Sequence, residues 1–174
     1  MKTLTDHLAQ YAAYHRDPRN IATHFIGIPM ILLAVTILLA RPGLSLAGLW
    51  LSPASFAALA AGLFYLRLDL RFGLFMGALL GLCLWAAAAL AQQPTGVWLG
   101  AGLGLFVIGW VIQFVGHYYE GRKPAFVDDI MGLIIGPLFV VAEAAFLLGL
   151  RREVEQVVVE RAGPTALREQ RARA

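Results

Sequence analysis

Residues 21–40 of the chain read IATHFIGIPMILLAVTILLA, a stretch without Asp, Glu, Lys or Arg. Further apolar windows of similar length lie at about 49–66, 72–91, 97–115 and 130–150. A helix needs roughly 20 apolar residues to cross about 30 Å of hydrocarbon. The composition agrees, because 59% of the residues are hydrophobic and only 14% are charged. The pattern predicts an all-α integral membrane protein, a bundle of about five transmembrane helices.

Other protein classes fit this chain less well. A transmembrane β-barrel would show short alternating segments instead of continuously apolar windows. The single cysteine, Cys83, forms no Cys-x-x-Cys pair. Acidic and basic residues interleave near the C-terminus, unlike the basic arm of a protein that binds nucleic acid. We therefore expect one membrane domain at 1–150 and a charged tail at 151–174 that is partly helical or disordered.

The N-terminal segment predicts a short helix at the membrane surface. Within residues 3–15, His7, Tyr11 and His15 are spaced by four and would share a helix face. Asp17 and Pro18 then mark the start of a new helix, because Asp caps exposed amides and Pro suits the first helical position.

Three of the four histidines lie where apolar windows meet polar clusters, at residues 14–24 and 113–120. Buried or lipid-facing imidazoles are costly unless they find partners, so this placement points to a metal site. Five spans would put the N-terminal segment and the 116–129 loop on the same side of the membrane. We therefore expect His15, His24 and His117 to meet, while His7 is more typical of a surface histidine.

Helical geometry sets a condition for this meeting. His15 and His24 are nine residues apart. One unbroken helix would separate them by about 13.5 Å along its axis and place them on opposite faces. They share a metal only if the chain breaks between them. Pro18 predicts that break, because proline disfavours helical geometry at the preceding Asp17.

The second cluster adds an imidazole and a carboxylate on one helix face. Gln113, His117 and Glu120 fall at i, i+4 and i+7. Imidazoles with a carboxylate form the ligand set of non-haem iron oxygenases, although zinc accepts the same ligands. Glu120 could instead pair with Arg122 or Lys123.

Glu143 lies deep in the last apolar window, after Pro137. An ionised carboxylate there costs several kcal/mol on insertion scales (about 3 kcal/mol for Asp at a helix centre). We expect this side chain to be protonated or hydrogen-bonded inside the bundle, where it supports the site or handles substrate.

Taken in order, these segments resemble the Mpo1-like family, formerly a domain of unknown function, over about residues 5–150. The resemblance implies an iron(II)-dependent dioxygenase that removes the carboxyl carbon of long-chain 2-hydroxy fatty acids in fatty acid α-oxidation. Its partners would be Fe(2+), O2, the 2-hydroxy fatty acid and the lipid bilayer. The matching positions are Tyr14, His15, Asn20, His24, Gly27, Ile28, Pro29, Gln113, Gly116, His117, Glu120, Pro124, Ala125, Asp128, Gly136, Pro137, Leu138, Phe139 and Glu143.

The resemblance also implies roles for individual residues. The metal ligands would be His15, His24 and His117. The catalytic acidic residues would be Glu120, Asp128 and Glu143. The substrate-binding residues would be Arg19, Asn20, Gln113, Arg122 and Lys123.

Two other classes of membrane protein remain open on the sequence alone. A small transporter should show charges in several spans or repeated halves. A lipid-binding scaffold would bind fatty acids without a metal. We expect a multi-pass protein of a bacterial inner membrane, or of the endoplasmic reticulum if the source is eukaryotic; the oligomeric state stays open.

Overall fold

Helices form almost all of the regular structure in the computed structural model, which describes residues 2–46 and 49–165. The predicted all-α class is confirmed, and each apolar window contains most of one helix. Two three-residue strands pair antiparallel between the second and third helices. In chain order the elements are α1 (Leu4–Ala12), α2 (Pro18–Ala40), β1 (Leu44–Leu46), β2 (Leu49–Leu51), α3 (Pro53–Leu68), α4 (Leu70–Ala91), α5 (Thr95–Glu120), a 3-10 turn (Ala125–Val127), α6 (Met131–Leu147) and α7 (Arg152–Ala162).

In the described part of the chain, three helices have the length and composition of a membrane span, where the sequence predicts about five. They are α2, α4 and α5, with 23, 22 and 26 residues. The 16 residues of α3 rise only about 24 Å, less than the hydrocarbon thickness. Helices α6 and α7 qualify only as a pair, bent by 113°, which would give a fourth span.

The two shorter helices have identifiable ends. Helix α3 starts late because Ser52 caps it reciprocally with Ser55, and Pro53 occupies its first turn. Helix α6 ends at Leu147, two residues before Gly149, which adopts a φ of 74°. In this left-handed conformation the amide of Leu150 donates to the carbonyl of Ala145 and closes the helix end.

The predicted break between the first two helices is confirmed. Helix α1 ends at Ala12 and α2 begins at Pro18. The carboxylate of Asp17 accepts a hydrogen bond of 2.8 Å from the amide of Arg19, which caps the new helix. His15 therefore lies in a non-helical connection, and its side chain is free of the angular relation that one continuous helix would impose.

Helix α7 occupies part of the segment expected to be a tail. Val154 and Val158 are buried on its inner face, which packs against α1. Arg161 forms an ion pair with Asp6 of α1, and hydrogen bonds from Thr3 and Arg161 lower the pKa of Asp6 to about 2. Residues 166–174, the rest of that expected tail, lie outside the described residues.

The chain contacts divide into two compact units. One is Pro29–Trp110; the other contains the described residues up to Ile28 and from Val111 onward. In the first unit a small core forms around Ile37 and Ala87. The indole of Trp98 donates a hydrogen bond of 2.8 Å to the carbonyl of Ile37. The second unit carries all the residues predicted for the site.

Large apolar side chains remain exposed along the spanning helices. On α4 these include Leu74, Leu82 and Trp85, and on α5 they include Val107 and Val111. A soluble protein rarely exposes so much continuous apolar surface. Facing lipid, the same side chains need no cover, so this surface agrees with a membrane protein.

The hairpin of α3 and α4 depends on Gly73. A Cβ at this position would lie 2.5 Å from the Cα of Leu66, which is backbone and cannot rotate away. We predict that Gly73→Ala destabilises the protein by about 1–3 kcal/mol, because overpacking forces the helices apart. Thermal unfolding in detergent measures the effect.

The matched control is Gly77→Ala in the same helix, where a Cβ meets nothing within 4 Å. This change should leave the unfolding temperature equal or slightly raised, since Ala favours helix over Gly. Equal unfolding temperatures for both variants would contradict the close contact at Gly73.

Candidate metal centre

Three imidazoles meet in the second unit, which contains the described residues up to Ile28 and from Val111 onward. His15 lies in the connection after α1, His24 in the second turn of α2 and His117 in the last turn of α5. Their ring centroids are 4.4 Å apart for His15 and His24, 5.2 Å for His15 and His117, and 5.1 Å for His24 and His117. One ligand nitrogen from each ring lies within 4.8 Å of the other two. The geometry therefore brings together the three histidines that the sequence selects.

Backbone hydrogen bonds fix which nitrogen two of these rings present. The Nδ1 atom of His15 lies 2.8 Å from the carbonyl oxygen of Tyr11, and that of His24 lies 2.8 Å from the carbonyl of Asn20. Because a carbonyl only accepts, each Nδ1 carries the proton and donates it. The Nε2 lone pair of each ring is then available to a metal, an arrangement common among metal-binding histidines.

Burial favours the uncharged form of these histidines. His15 is completely buried, and the other two are nearly so. Burial lowers the pKa of His15 well below its ordinary value, and the neighbouring His24 adds to the shift. A neutral imidazole is the form that binds metal, so the centre is held ready for an ion near neutral pH.

Two aromatic rings enclose His15. Tyr11 stacks on its imidazole with a centroid distance of 4.2 Å and an interplanar angle of 4°. Phe139 of α6 contacts both rings, with centroids 5.6 Å from His15 and 4.9 Å from Tyr11. These contacts restrict the orientation of His15 even though it does not belong to a helix.

Glu120 fastens the connection between α1 and α2 to the end of α5. Its carboxylate accepts hydrogen bonds from the amide of Arg16 at 2.9 and 3.0 Å and from the amide of Asp17 at 2.9 Å. It also accepts one from the side-chain amide of Asn20 at 3.0 Å. These donors flank His15 and begin α2, so Glu120 holds two histidine-bearing segments against the helix that carries His117.

The alternative partners of Glu120 are engaged elsewhere. Arg122 donates a hydrogen bond of 2.9 Å to the carbonyl of Ala13. Lys123 forms an ion pair with Asp128 at 2.5 Å. The carboxylate of Glu120 thus serves the backbone of the connection instead of neutralising a neighbouring cation.

Several buried polar atoms on the segments that carry the histidines have no hydrogen-bond partner among the described residues. Among the described residues, none provides a hydrogen bond to the buried Nε2 of His15, Oδ1 of Asn20 or Oε1 of Gln113. Asn20 precedes His24 by one helical turn, and Gln113 precedes His117 in the same way. Buried polar atoms without partners are costly, so this cluster indicates a place for a polar ligand.

The donor set fits a metal ion. Three neutral imidazoles suit iron, zinc or copper, and the orphaned atoms of Asn20 and Gln113 could meet water or substrate beside it. No carboxylate in the described part of the chain joins the histidines at this spacing. The group consists of the three histidines that the resemblance implies as ligands, and Glu120 lies outside it.

The close approach of α5 to α2 requires a glycine. A Cβ on Gly116 would lie 2.0 Å from Oγ1 of Thr23 and 2.5 Å from Oδ1 of Asn20. The absence of a side chain at this position lets His117, the next residue, reach the two histidines of the N-terminal segment.

The remaining candidate residues lie around the centre at different depths. Arg19 is exposed, pairs with Asp17 at 2.7 Å and stacks on Tyr119. Asp128 is exposed and accepts a hydrogen bond of 2.9 Å from the hydroxyl of Tyr14. Glu143 is buried in α6, one turn beyond Phe139. These three residues are not part of the histidine group.

The fold and centre define a helical protein with apolar helices of spanning length and three buried histidines near its helix ends. A family model described as "2-hydroxy-palmitic acid dioxygenase Mpo1-like" matches residues 1–148. The yeast protein "2-hydroxy-palmitic acid dioxygenase MPO1", from Saccharomyces cerevisiae, is 34% identical over 148 residues, covering 84% of this chain and 82% of that protein. The chain belongs to the Mpo1-like family. No solved structure matches it.

Sequence reasoning missed the contact of Tyr11 with the centre and the contact of the Arg16 side chain with the chain after α7. The spacing of Tyr11 and His15 put both on one helix face, yet that pattern is equally typical of an amphipathic surface helix. Arg16 donates a hydrogen bond of 2.7 Å to the carbonyl of Pro164. No local sequence signal indicates a contact across so long a separation.

Gly116→Ala tests the close approach of α5 and α2. We predict at least a tenfold loss of metal affinity, because the new methyl group would displace Thr23 or Asn20 and move His117 outward. Metal titration of the purified protein measures this loss. Gly104→Ala, in the same helix and with nothing within 4 Å of its Cβ, should bind metal like the wild type; comparable losses in both variants would contradict the proposed cause.

Glu120→Gln tests the fastening of the connection. An amide keeps only one acceptor oxygen and turns its own N–H groups toward the donors of Arg16 and Asp17. We predict roughly a 10–100-fold loss of metal affinity, the usual effect of removing a group that orients metal ligands. The control is Glu160→Gln, on the exposed face of α7. Unchanged affinity in Glu120→Gln would show that the connection holds without this carboxylate.

Proposed function

We propose that this protein is an iron(II)-dependent dioxygenase that shortens long-chain 2-hydroxy fatty acids by one carbon. The observation that carries the proposal is the group of three buried histidines in a chain of the Mpo1-like family, whose family model and yeast relative are both described as 2-hydroxy-palmitic acid dioxygenases. The three imidazoles suit iron, and the descriptions of the family and of the yeast relative name a 2-hydroxy fatty acid, so both observations support this activity.

The proposed reaction balances with O2 as the sole oxidant. A 2-hydroxy acid and O2 yield the fatty acid one carbon shorter, carbon dioxide and water, while the carbon that bears the hydroxyl is oxidised to a carboxylic acid. Such a reaction favours iron over zinc, because zinc has no redox chemistry. Bound iron(II) would supply open coordination positions for O2 and substrate.

The histidines and their supports keep the site ready before substrate arrives. Backbone carbonyls hold the protons of His15 and His24 on Nδ1, which leaves Nε2 toward the centre. Tyr11 and Phe139 cover one side of His15 and exclude water from it. In this proposal Glu120 acts by positioning the connection, not by transferring a proton.

The polar end of the substrate has suitable partners at the centre. We assign the unpaired oxygens of Asn20 and Gln113 to accept hydrogen bonds from the 2-hydroxyl group or from water beside it. The predicted cations Arg19, Arg122 and Lys123 already have partners at the surface. Their role would be to raise the local positive potential and attract the anionic acid.

Membrane placement suits a substrate of this kind. A long-chain 2-hydroxy acid concentrates at the boundary between lipid and water, and the histidines lie near the ends of two helices of spanning length. We propose a multi-pass location with the site at this boundary, in a bacterial inner membrane or in the endoplasmic reticulum.

Metal and product analysis test the proposal together. Purified protein should contain about one iron per chain, and it should convert 2-hydroxypalmitic acid to pentadecanoic acid only when iron and O2 are both present. Mass spectrometry follows the products. Protein that turns over the acid without metal, or that binds fatty acid but never oxidises it, would support the alternatives of a metal-independent enzyme or a lipid-binding scaffold.

Single replacements of His15, His24 or His117 by Ala should lower turnover at least ~100-fold, since losing a ligand exceeds the 10–100-fold effect of losing an outer support. Iron content should fall in parallel while the thermal transition remains. His7→Ala is the control, because His7 lies in α1 outside the histidine group. Full activity of the His117→Ala variant would overturn the proposal.

A further inference from the structure

A cavity of about 370 Å³ lies beside α2, closed by α6, α7 and the residues after α7. This volume falls within the roughly 300–1,000 Å³ typical of small-molecule sites. We call it the α2–α6–α7 cavity. The reaction steps outlined above do not use it.

The α2–α6–α7 cavity shares two walls with the histidine centre. On α2, Ile21 and Phe25 line it, and each directly follows a residue of the centre, Asn20 or His24. Successive residues of a helix are rotated by about 100°, so the cavity occupies the neighbouring face of the same turns. On α6, Glu143 lines the cavity one turn beyond Phe139, which contacts His15.

The residues that line the cavity suit the hydrocarbon tail of a fatty acid better than its acid head. Ile21, Phe25 and Phe146 present hydrocarbon, and most of the surface is apolar. The acidic side chains among the lining residues are Glu143 and Glu155, and no Lys or Arg side chain lines the cavity in the described residues. These walls therefore offer an anionic acid head no cation, whereas burial of methylene groups contributes about 0.8 kcal/mol each.

We propose that the α2–α6–α7 cavity binds the hydrocarbon tail of the 2-hydroxy fatty acid while the acid head lies at the three histidines. This inference rests on the proposed function and adds where the tail lies. Ala22 and Ile26 line the cavity and are exposed on a helix of spanning length. The tail therefore reaches the cavity from the lipid side.

The wall formed by α7 gives this proposal a further consequence. Glu155 and Thr165 contribute to the cavity, yet the family model matches only residues 1–148. The preferred chain length is thus set partly by a segment beyond the shared family region. Relatives with a different C-terminal segment would accept tails of other lengths.

Filling the cavity tests its role in selecting substrate. Ala22→Trp should lower kcat/KM at least tenfold for 2-hydroxypalmitic acid and much less for 2-hydroxyoctanoic acid, with unchanged iron content. Ile26→Trp fills the same space and serves if the first variant does not fold. The control is Ala89→Trp, at an exposed position of α4 outside the cavity. A chain-length profile identical to that of the wild type in a folded, iron-loaded filled variant would overturn the proposal.

A binding measurement separates this inference from the proposed function. Palmitic acid lacks the 2-hydroxyl group, so its affinity for metal-free protein depends on the tail site and not on oxidation. The wild type and Ala89→Trp should bind it equally, and Ala22→Trp at least tenfold more weakly. Equal binding by all three proteins would reject the cavity, whatever the activity. If the wild type shows no turnover, the proposed reaction is rejected. The binding of palmitic acid by the three proteins would still show whether the cavity holds the tail.

Discussion

The carboxylate of Glu120 is the interaction on which the centre depends. Its two oxygens accept from the amides of Arg16 and Asp17 and from the side chain of Asn20. These donors belong to the break before α2 and to its first turn, where unpaired amides and the helix dipole favour negative charge. One charged group therefore satisfies amides that the break leaves unpaired and ties the N-terminal segment to α5.

The sequence predicted the features that depend on residues close together in the chain. Apolar windows located the helices, and Asp17 with Pro18 located the break that lets His15 and His24 converge. Parity of the predicted spans brought His117 to the same place, although α3 and α6 are shorter than full spans. The three histidines still meet. Their meeting depends on the break before α2 and on the contact between α2 and the end of α5, not on the number of spans.

The rest depends on contacts between distant residues. Glu120 has cations nearby in the sequence, yet it accepts hydrogen bonds from amides about a hundred residues earlier, in the half-buried connection before α2. The charged tail was expected to be partly helical, but no local pattern predicted that Val154 and Val158 of α7 would be buried on a face that packs against α1. In the sequence, Gly116 is only one position of a motif. Its structural role is to allow the close approach of Thr23, which no local sequence pattern predicts.

The distribution of the histidines along the chain also bears on how the protein is made. His15 and His24 are synthesised early, but they remain incomplete as a site until α5 delivers His117 some ninety residues later. Gly116 and Glu120 belong to that same helix, so His117 and the groups that position it are synthesised together. A chain interrupted before α5 therefore contains only two of the three histidines, and the group on which the proposed function rests forms late in synthesis.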